Sequence, residues 1–152
     1  MKLLFTFLAF TIYAISIQAQ TPEDSVKAAV NKLFVAMKTS DGVLLKNAFA
    51  DSAILQTITK DEEGKTIVQT DKVDDFVKTI NTVAKCDVDE RIVFDVIKID
   101  GPLAIVWAPY QFYYKGNFRH CGVNSFQLVK IAGNWKIQYL IDTRQKNGCP
   151  LP

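Results

Sequence analysis

The sequence predicts an α+β fold in which helices cover one face of a bent antiparallel sheet. Three observations carry that prediction. Helical periodicity is confined to the first half of the chain, ending near residue 84. From Arg91 onward, strand patterns follow one another, joined by tight-turn residues. No strand–helix alternation continues past residue 85, which disfavours a parallel α/β arrangement.

The elements follow in order. Thr21-Pro22-Glu23-Asp24 is a helix start: Thr21 suits the cap, Pro22 the first turn, and two acids face the positive end of the helix dipole. Val26, Val30, Leu33, Phe34 and Met37 then recur on one face. Ser40-Asp41-Gly42 reads as a break and a new cap, with a short second helix from Val43 to Phe49. Ala53–Thr59 and Thr66–Gln69 read as strands around the polar turn 61–65. Asp71 or Thr70 is expected to cap a third helix, whose Val73, Phe76, Val77, Ile80, Val83 and Ala84 share a face.

Arg91–Ile99 is the next strand, ended by Asp100-Gly101. Leu103–Tyr114 follows, and Pro109, lacking an N–H, implies an edge position or a bulge there. Gly116 turns into Phe118–Ile131, and Ala132-Gly133-Asn134 turns into Trp135–Asp142.

Residues 1–19 read as a secretory signal: a positive start at Lys2, an apolar run from Leu3 to Ile17, and a small residue at Ala19. The rival is a membrane anchor, but the run is shorter than the ~20 residues a spanning helix needs and Thr11, Tyr13 and Ser16 dilute it. The expectation is an exported protein, periplasmic or secreted, with residues 20–152 as a single domain and no stable membrane insertion after cleavage. A net charge of +2, without a Lys/Arg cluster, gives no electrostatic reason to expect nucleic acid as a partner.

One His and three scattered Cys supply neither a three-histidine site nor a structural zinc set, so no metal is expected. Neither a phosphate-binding loop nor a dinucleotide-binding fingerprint is present, and no cofactor is expected.

Trp107, Tyr110, Phe112, Tyr113, Tyr114 and Phe118 crowd one strand and the start of the next. Aromatics with polar tips suit a pocket that stacks a flat ligand and offers hydrogen bonds; equally, aromatics fill cores. His120 is the natural acid–base candidate, and Asp142 the carboxylate to orient it. A two-residue turn at Ala132-Gly133, however, pairs Asp142 with Val123 and puts it on the opposite face from His120; one bulge would reverse that. The simpler role for His120 is a hydrogen-bonded place in the pocket wall. Asp142 and Arg144 share parity and either form an ion pair or leave Arg144 to hold an acidic ligand. Trp107, Tyr110, Phe112, His120, Asp142 and Arg144 are therefore the expected pocket residues.

Of the cysteines, Cys121 and Cys149 form the expected disulfide: the register brings Arg144 opposite Cys121, and Asn147-Gly148 lets the tail reverse. Cys86 is left free; three reduced thiols is the rival reading.

The helix pair followed by Asn47-Ala48-Phe49-Ala50-Asp51-Ser52-Ala53, the third helix and the closing meander resemble the nuclear transport factor 2-like (cone) superfamily. His120-Cys121-Gly122-Val123, Phe126-Gln127-Leu128-Val129-Lys130, Gly133, Trp135-Lys136-Ile137, Asp142-Thr143-Arg144 and Gly148-Cys149 are similar to a bacterial group labelled lumazine-binding. The resemblance implies a conical sheet with the three helices over its concave face. It implies a pocket for a small hydrophobic or aromatic molecule. It leaves open a cofactor-free isomerase, dehydratase or cyclase using His120, and a non-catalytic module forming a homodimer through the outer sheet face.

Overall fold

A computed structural model describes residues 21–149. The export signal expected over residues 1–19 lies outside the described residues. Helix α1 (Pro22–Thr39) begins with a closed capping box: Asp24 N–H donates to Thr21 Oγ1 at 3.1 Å, and Thr21 N–H to the Asp24 carboxylate at 3.2 Å. It stops at Ser40, whose φ of 55° no helix continues. Asp41 then caps α2 (Gly42–Ala48) by accepting from Leu44 N–H at 2.8 Å.

Helix α3 (Val73–Thr82) follows Lys72 without a side-chain cap, contrary to the cap expected from Thr70 or Asp71. The reason is the sheet. Strand β2 (Thr66–Asp71) runs on through both residues and pairs them with Gln56 and Leu55 of β1 (Phe49–Lys60).

Five further strands complete the architecture: β3 (Val88–Ile92), β4 (Val96–Asp100), β5 (Leu103–Tyr114), β6 (Asn117–Ile131) and β7 (Asn134–Thr143). The sheet order is β2-β1-β7-β6-β5-β3, with β4 also on β5. The sheet is mixed, not antiparallel throughout as expected, because β1 lies parallel to β7. A parallel pair needs a long crossover; here it runs through the third helix and the whole meander.

The single strand expected over Arg91–Ile99 is two, β3 and β4, both paired with β5. Between them, Val93 N–H donates to the Pro109 carbonyl at 2.9 Å and Asp95 N–H to the Trp107 carbonyl at 3.1 Å. The pairing slips by one residue across this break, from Ile92 opposite Tyr110 to Val96 opposite Trp107. Pro109 therefore sits in a strand paired on both sides, and its partner carries the irregularity.

Since β5 itself does not bulge at Pro109, its alternation is unbroken. Ala104, Val106, Ala108 and Tyr110 are buried, while Leu103, Ile105 and Trp107 are exposed. Trp107, expected in the pocket, thus projects from the opposite face at 47% exposure.

Helix α1 packs on the inward face: Val26, Val30 and Leu33 share one apolar core with Phe126, Leu128 and Ile137. Phe34 meets the buried Phe126 ring edge-on at 6.3 Å, and burying a side chain of that size stabilises by about 1.5–3 kcal/mol. Trp135 is anchored by its indole N–H, which donates to Ser25 Oγ at 3.1 Å.

Near the end of β7 the backbone crosses close over β6. A Cβ added to Gly122 would stand 1.8 Å from the Thr143 carbonyl oxygen, so only glycine permits the approach. Beyond it, Cys121 and Gln145 exchange both backbone hydrogen bonds at 2.9 Å, and Cys121 is disulfide-bonded to Cys149 across a Cα separation of 5.7 Å. Cys86 is free and exposed. We expect Gly122→Ala to cost roughly 1–3 kcal/mol by overpacking, read as a lower urea midpoint. An unchanged midpoint would contradict the close approach.

Candidate functional site

Two bulges bring the polar side chains of β6 and β7 to the inward face. In the β5–β6 hairpin, Tyr114 faces Asn117 and Tyr113 faces Phe118, but Phe112 faces His120, leaving Arg119 as the extra residue. Without it, His120 would point outward with Cys121's neighbours reversed. In the β6–β7 hairpin, Ile131 faces Asn134 as the two-residue turn requires, yet Gln127 faces Tyr139 while Leu128 faces Ile137. Gln138 is the extra residue there. Asp142 consequently lies opposite Asn124, not Val123, and shares a face with His120.

The inward side chains meet helices α1 and α3 around a cavity of about 410 Å³. Leu33, Phe34 and Met37 of α1, Phe76 and Ile80 of α3, and Leu140 of β7 supply apolar wall. Thr57, Glu90, Tyr110, His120, Asn124, Asp142 and Arg144 supply the polar part. Asp142 is 7% exposed and both its oxygens are engaged. Thr57 Oγ1 donates to Oδ1 at 2.6 Å; Arg144 Nε donates to Oδ2 at 2.8 Å. The other end of the guanidinium donates to Thr57 Oγ1 at 3.0 Å. Arg144 is ion-paired with Asp142.

Tyr110 joins this group to His120. Its hydroxyl lies 2.9 Å from the Thr143 carbonyl oxygen, 3.2 Å from Asp142 Oδ2 and 3.2 Å from His120 Nδ1. The imidazole also stacks on Phe112, with centroids 4.8 Å apart. His120 and Asp142 thus occupy one polar cluster, but through the phenol and not by a direct hydrogen bond. Burial, and then the charge of Arg144, push the His120 pKa below its ordinary value, against a smaller opposing pull from Asp142. At neutral pH the ring is neutral. Burial, followed by the nearby Asp142 and Glu90 charges, pushes the Tyr110 pKa up, so the phenol keeps its proton.

Glu90 was not among the expected site residues, nor were Thr57 and Asn124. The Asn124 amide donates to Glu90 Oε1 at 2.7 Å. Burial drives the Glu90 pKa up to about 7 from an ordinary 4.5; the Asn124 bond opposes the rise, Asp142 adds to it and Arg144 opposes it. A signal for Glu90 existed in the sequence: it alternates with Val88 and Ile92, the inward positions of a strand. Asn124 likewise shares parity with His120 and Phe126, and Thr57 with Leu55.

The sequence matches no protein-family model and no curated protein. Solved structures do match. A nuclear transport factor 2-like protein of unknown function from Shewanella baltica superposes with a TM-score of 0.64 at 16% identity, covering 89% of this chain and 100% of that one. Another from Methylobacillus flagellatus gives 0.62 at 20% identity, covering 88% and 100%. The fold is the nuclear transport factor 2-like fold. A protein from Streptomyces avermitilis, named as a proposed dehydratase of the nuclear transport factor 2-like family, superposes at 0.58 with 12% identity, covering 83% and 99%. Identities this low establish the nuclear transport factor 2-like architecture and nothing about chemistry. Among the described residues, no cluster of three or more His, Cys, Asp or Glu is arranged to hold a metal.

The Glu90 environment sets a pH signature for stability. Its folded pKa, about 7, lies above the ordinary 4.5, so between those values the folded state binds more protons than the unfolded one. Stability from this group is full below about 4.5 and is lost as pH rises through 7, a loss of roughly 3 kcal/mol at most. Urea denaturation of wild type and Glu90→Gln at pH 5 and pH 8 checks it: the variant should gain on wild type as pH rises. An equal pH response in both proteins would show that Glu90 does not carry the shift.

Proposed function

We propose that this protein binds a small, partly apolar molecule in the cavity between α1, α3 and the sheet. One observation carries the reading: a cavity of about 410 Å³ that has apolar walls and one convergent set of polar groups. Ligand sites fall in this size range and have this division of labour, with apolar surface for affinity and a few polar groups for orientation. The cluster of Thr57, Tyr110, Asp142 and Arg144 is internally bonded and so pre-organised, which lowers the ordering cost of binding. Export, expected from residues 1–19, and kinship with the lumazine-binding group, supported by the residue string from His120 to Cys149, belong to the same proposal.

A second reading, cofactor-free acid–base chemistry, is favoured by one specific feature. Glu90 has a pKa near 7 inside the cavity, where a carboxyl both takes and returns a proton. On this reading Glu90 is the proton-transferring group and His120 a hydrogen-bonding neighbour, because His120 is held neutral and its Nδ1 is engaged by Tyr110.

Thermal-shift screening tests the binding reading, since a ligand at a hundredfold excess over Kd adds about 2.7 kcal/mol. Thr79 lines the cavity from an exposed helix position, so Thr79→Trp should block it without disturbing the core. Compounds that raise the wild-type Tm should lose most of their effect in Thr79→Trp and weaken in His120→Ala. Compounds that stabilise all three proteins equally bind elsewhere and would contradict the assignment.

A further inference from the structure

We propose that the cavity selects ligands presenting hydrogen-bond-donating nitrogen, such as an ammonium, amidinium or amino-heterocycle, to Glu90, Asn124 and His120, and that it rejects carboxylates and phosphates. This rests on the binding reading above and names its ligand class.

Few polar atoms of the cavity remain without a partner. Asp142 has both oxygens bonded, and Arg144 spends its Nε–H and one Nη2–H on Asp142 and Thr57, so the cationic side chain of the cavity is already ion-paired. Among the described residues, Glu90 accepts one hydrogen bond at Oε1 and none at Oε2. Asn124 is 4% exposed; its amide N–H₂ goes to Glu90, and its Oδ1 has no partner among the described residues. Both residues line the cavity.

The third atom follows from proton bookkeeping around Tyr110. The phenol has one proton, and two of its neighbours, the Thr143 carbonyl and the Asp142 carboxylate, only accept. The proton goes to one of them. The remaining contact, at 3.2 Å to His120 Nδ1, is then made with Nδ1–H donating to the phenolic oxygen. A neutral imidazole protonated at Nδ1 has a bare acceptor at Nε2. With Glu90 ionised, Glu90 Oε2, Asn124 Oδ1 and His120 Nε2 are all acceptors. A ligand that also brings acceptors leaves buried lone pairs facing each other, whereas one that brings N–H groups satisfies them.

Charge agrees with hydrogen bonding. The cavity lining contains the carboxylates Asp71, Asp75, Glu90 and Asp142 against the single cation Arg144. The polar groups sharing the cavity with Glu90 are Tyr110 from β5, His120 and Asn124 from β6, Asp142 and Arg144 at the end of β7, Thr57 from β1, Asp71 from β2 and Asp75 from α3, the last ion-paired with Lys78. Helix α1 contributes only Leu33, Phe34 and Met37 to the lining; its Lys38 pairs instead with Asp89, as does Arg91. An anion entering the cavity meets these carboxylates and, among the described lining residues, a single cation that is already ion-paired with Asp142. Because Glu90 protonates near neutrality, a cationic ligand binds its ionised form, and affinity rises with pH.

The test uses three fragments of similar size, 2-phenylethylamine, 2-phenylethanol and phenylacetate, titrated at millimolar concentration into the full-length protein and followed by NMR shifts. The amine should bind most tightly at pH 8, at least about tenfold over phenylacetate, and should weaken by about tenfold at pH 6 as Glu90 protonates. Glu90→Gln should flatten both the preference and the pH dependence. Tighter or equal binding of phenylacetate or 2-phenylethanol overturns the selectivity while leaving the cavity reading standing. A pH-independent amine affinity in wild type overturns the role of Glu90 without reference to any variant. Failure of all three fragments to bind overturns the cavity reading and this inference together.

Discussion

The β6–β7 ladder holds one residue more on β7 than on β6, and the side chain of that extra residue, Gln138, ties the irregularity to a neighbouring strand. Its amide donates to the Ser52 carbonyl of β1 at 3.0 Å, where β1 itself departs from regular pairing between Phe49 and Ile54. Two irregular segments are thus matched to each other across the parallel pair. The consequence is a change of phase along β7. Before the bulge Trp135 and Ile137 point inward; after it, Leu140 and Asp142 do. An apolar strand therefore delivers a carboxylate into the same interior without giving up its own core contacts. A bulge costs ladder regularity, but it re-aims a side chain by one full face.

The rest of the polar cluster follows from Asp142. A carboxylate 7% exposed must be paired or hydrogen-bonded to be tolerated. Arg144, Thr57 and Tyr110 meet that requirement from three different chain segments. Tyr110 in turn contacts His120 Nδ1, and burial, more than the neighbouring charges, lowers the imidazole pKa and raises that of the phenol. Glu90 is buried with a hydrogen bond at only one of its oxygens, and burial drives its pKa up to about 7. The close crossing of Gly122 with Thr143 and the disulfide from Cys121 to Cys149 pin the chain on either side of Arg144, keeping this end of β7 in place.

Much of this architecture was legible in the sequence. Thr21 and Asp24 announce the first helix because a capping box is a local device, and Ala132-Gly133 fixes its turn because the φ values of 47° and 82° found there are a local requirement. What stayed hidden was set by partners distant along the chain. Gln138 and Arg119 carry no bulge signature; their roles exist only because Ser52 and Phe112 lie opposite. The parallel pairing of β1 with β7 joins residues some eighty positions apart, and it turned an expected antiparallel sheet into a mixed one. Trp107 shows the opposite lesson. Strand parity alone placed it away from Tyr110 and Phe112, and parity outweighed its aromatic character. Glu90 is hidden because the strand pattern reads from Arg91, whereas β3 begins at Val88.

The polar cluster depends on Asp142 facing inward beside Tyr110 and Thr57. Nuclear Overhauser contacts measure that directly. The Tyr110 ring protons should show contacts to the Asp142 β-protons and to the Thr57 methyl group, with backbone contacts linking Asp142 to Asn124. Contacts that instead place the Asp142 β-protons on the outer face, with backbone pairing to Val123, would show a β7 without the Gln138 bulge and would contradict the account.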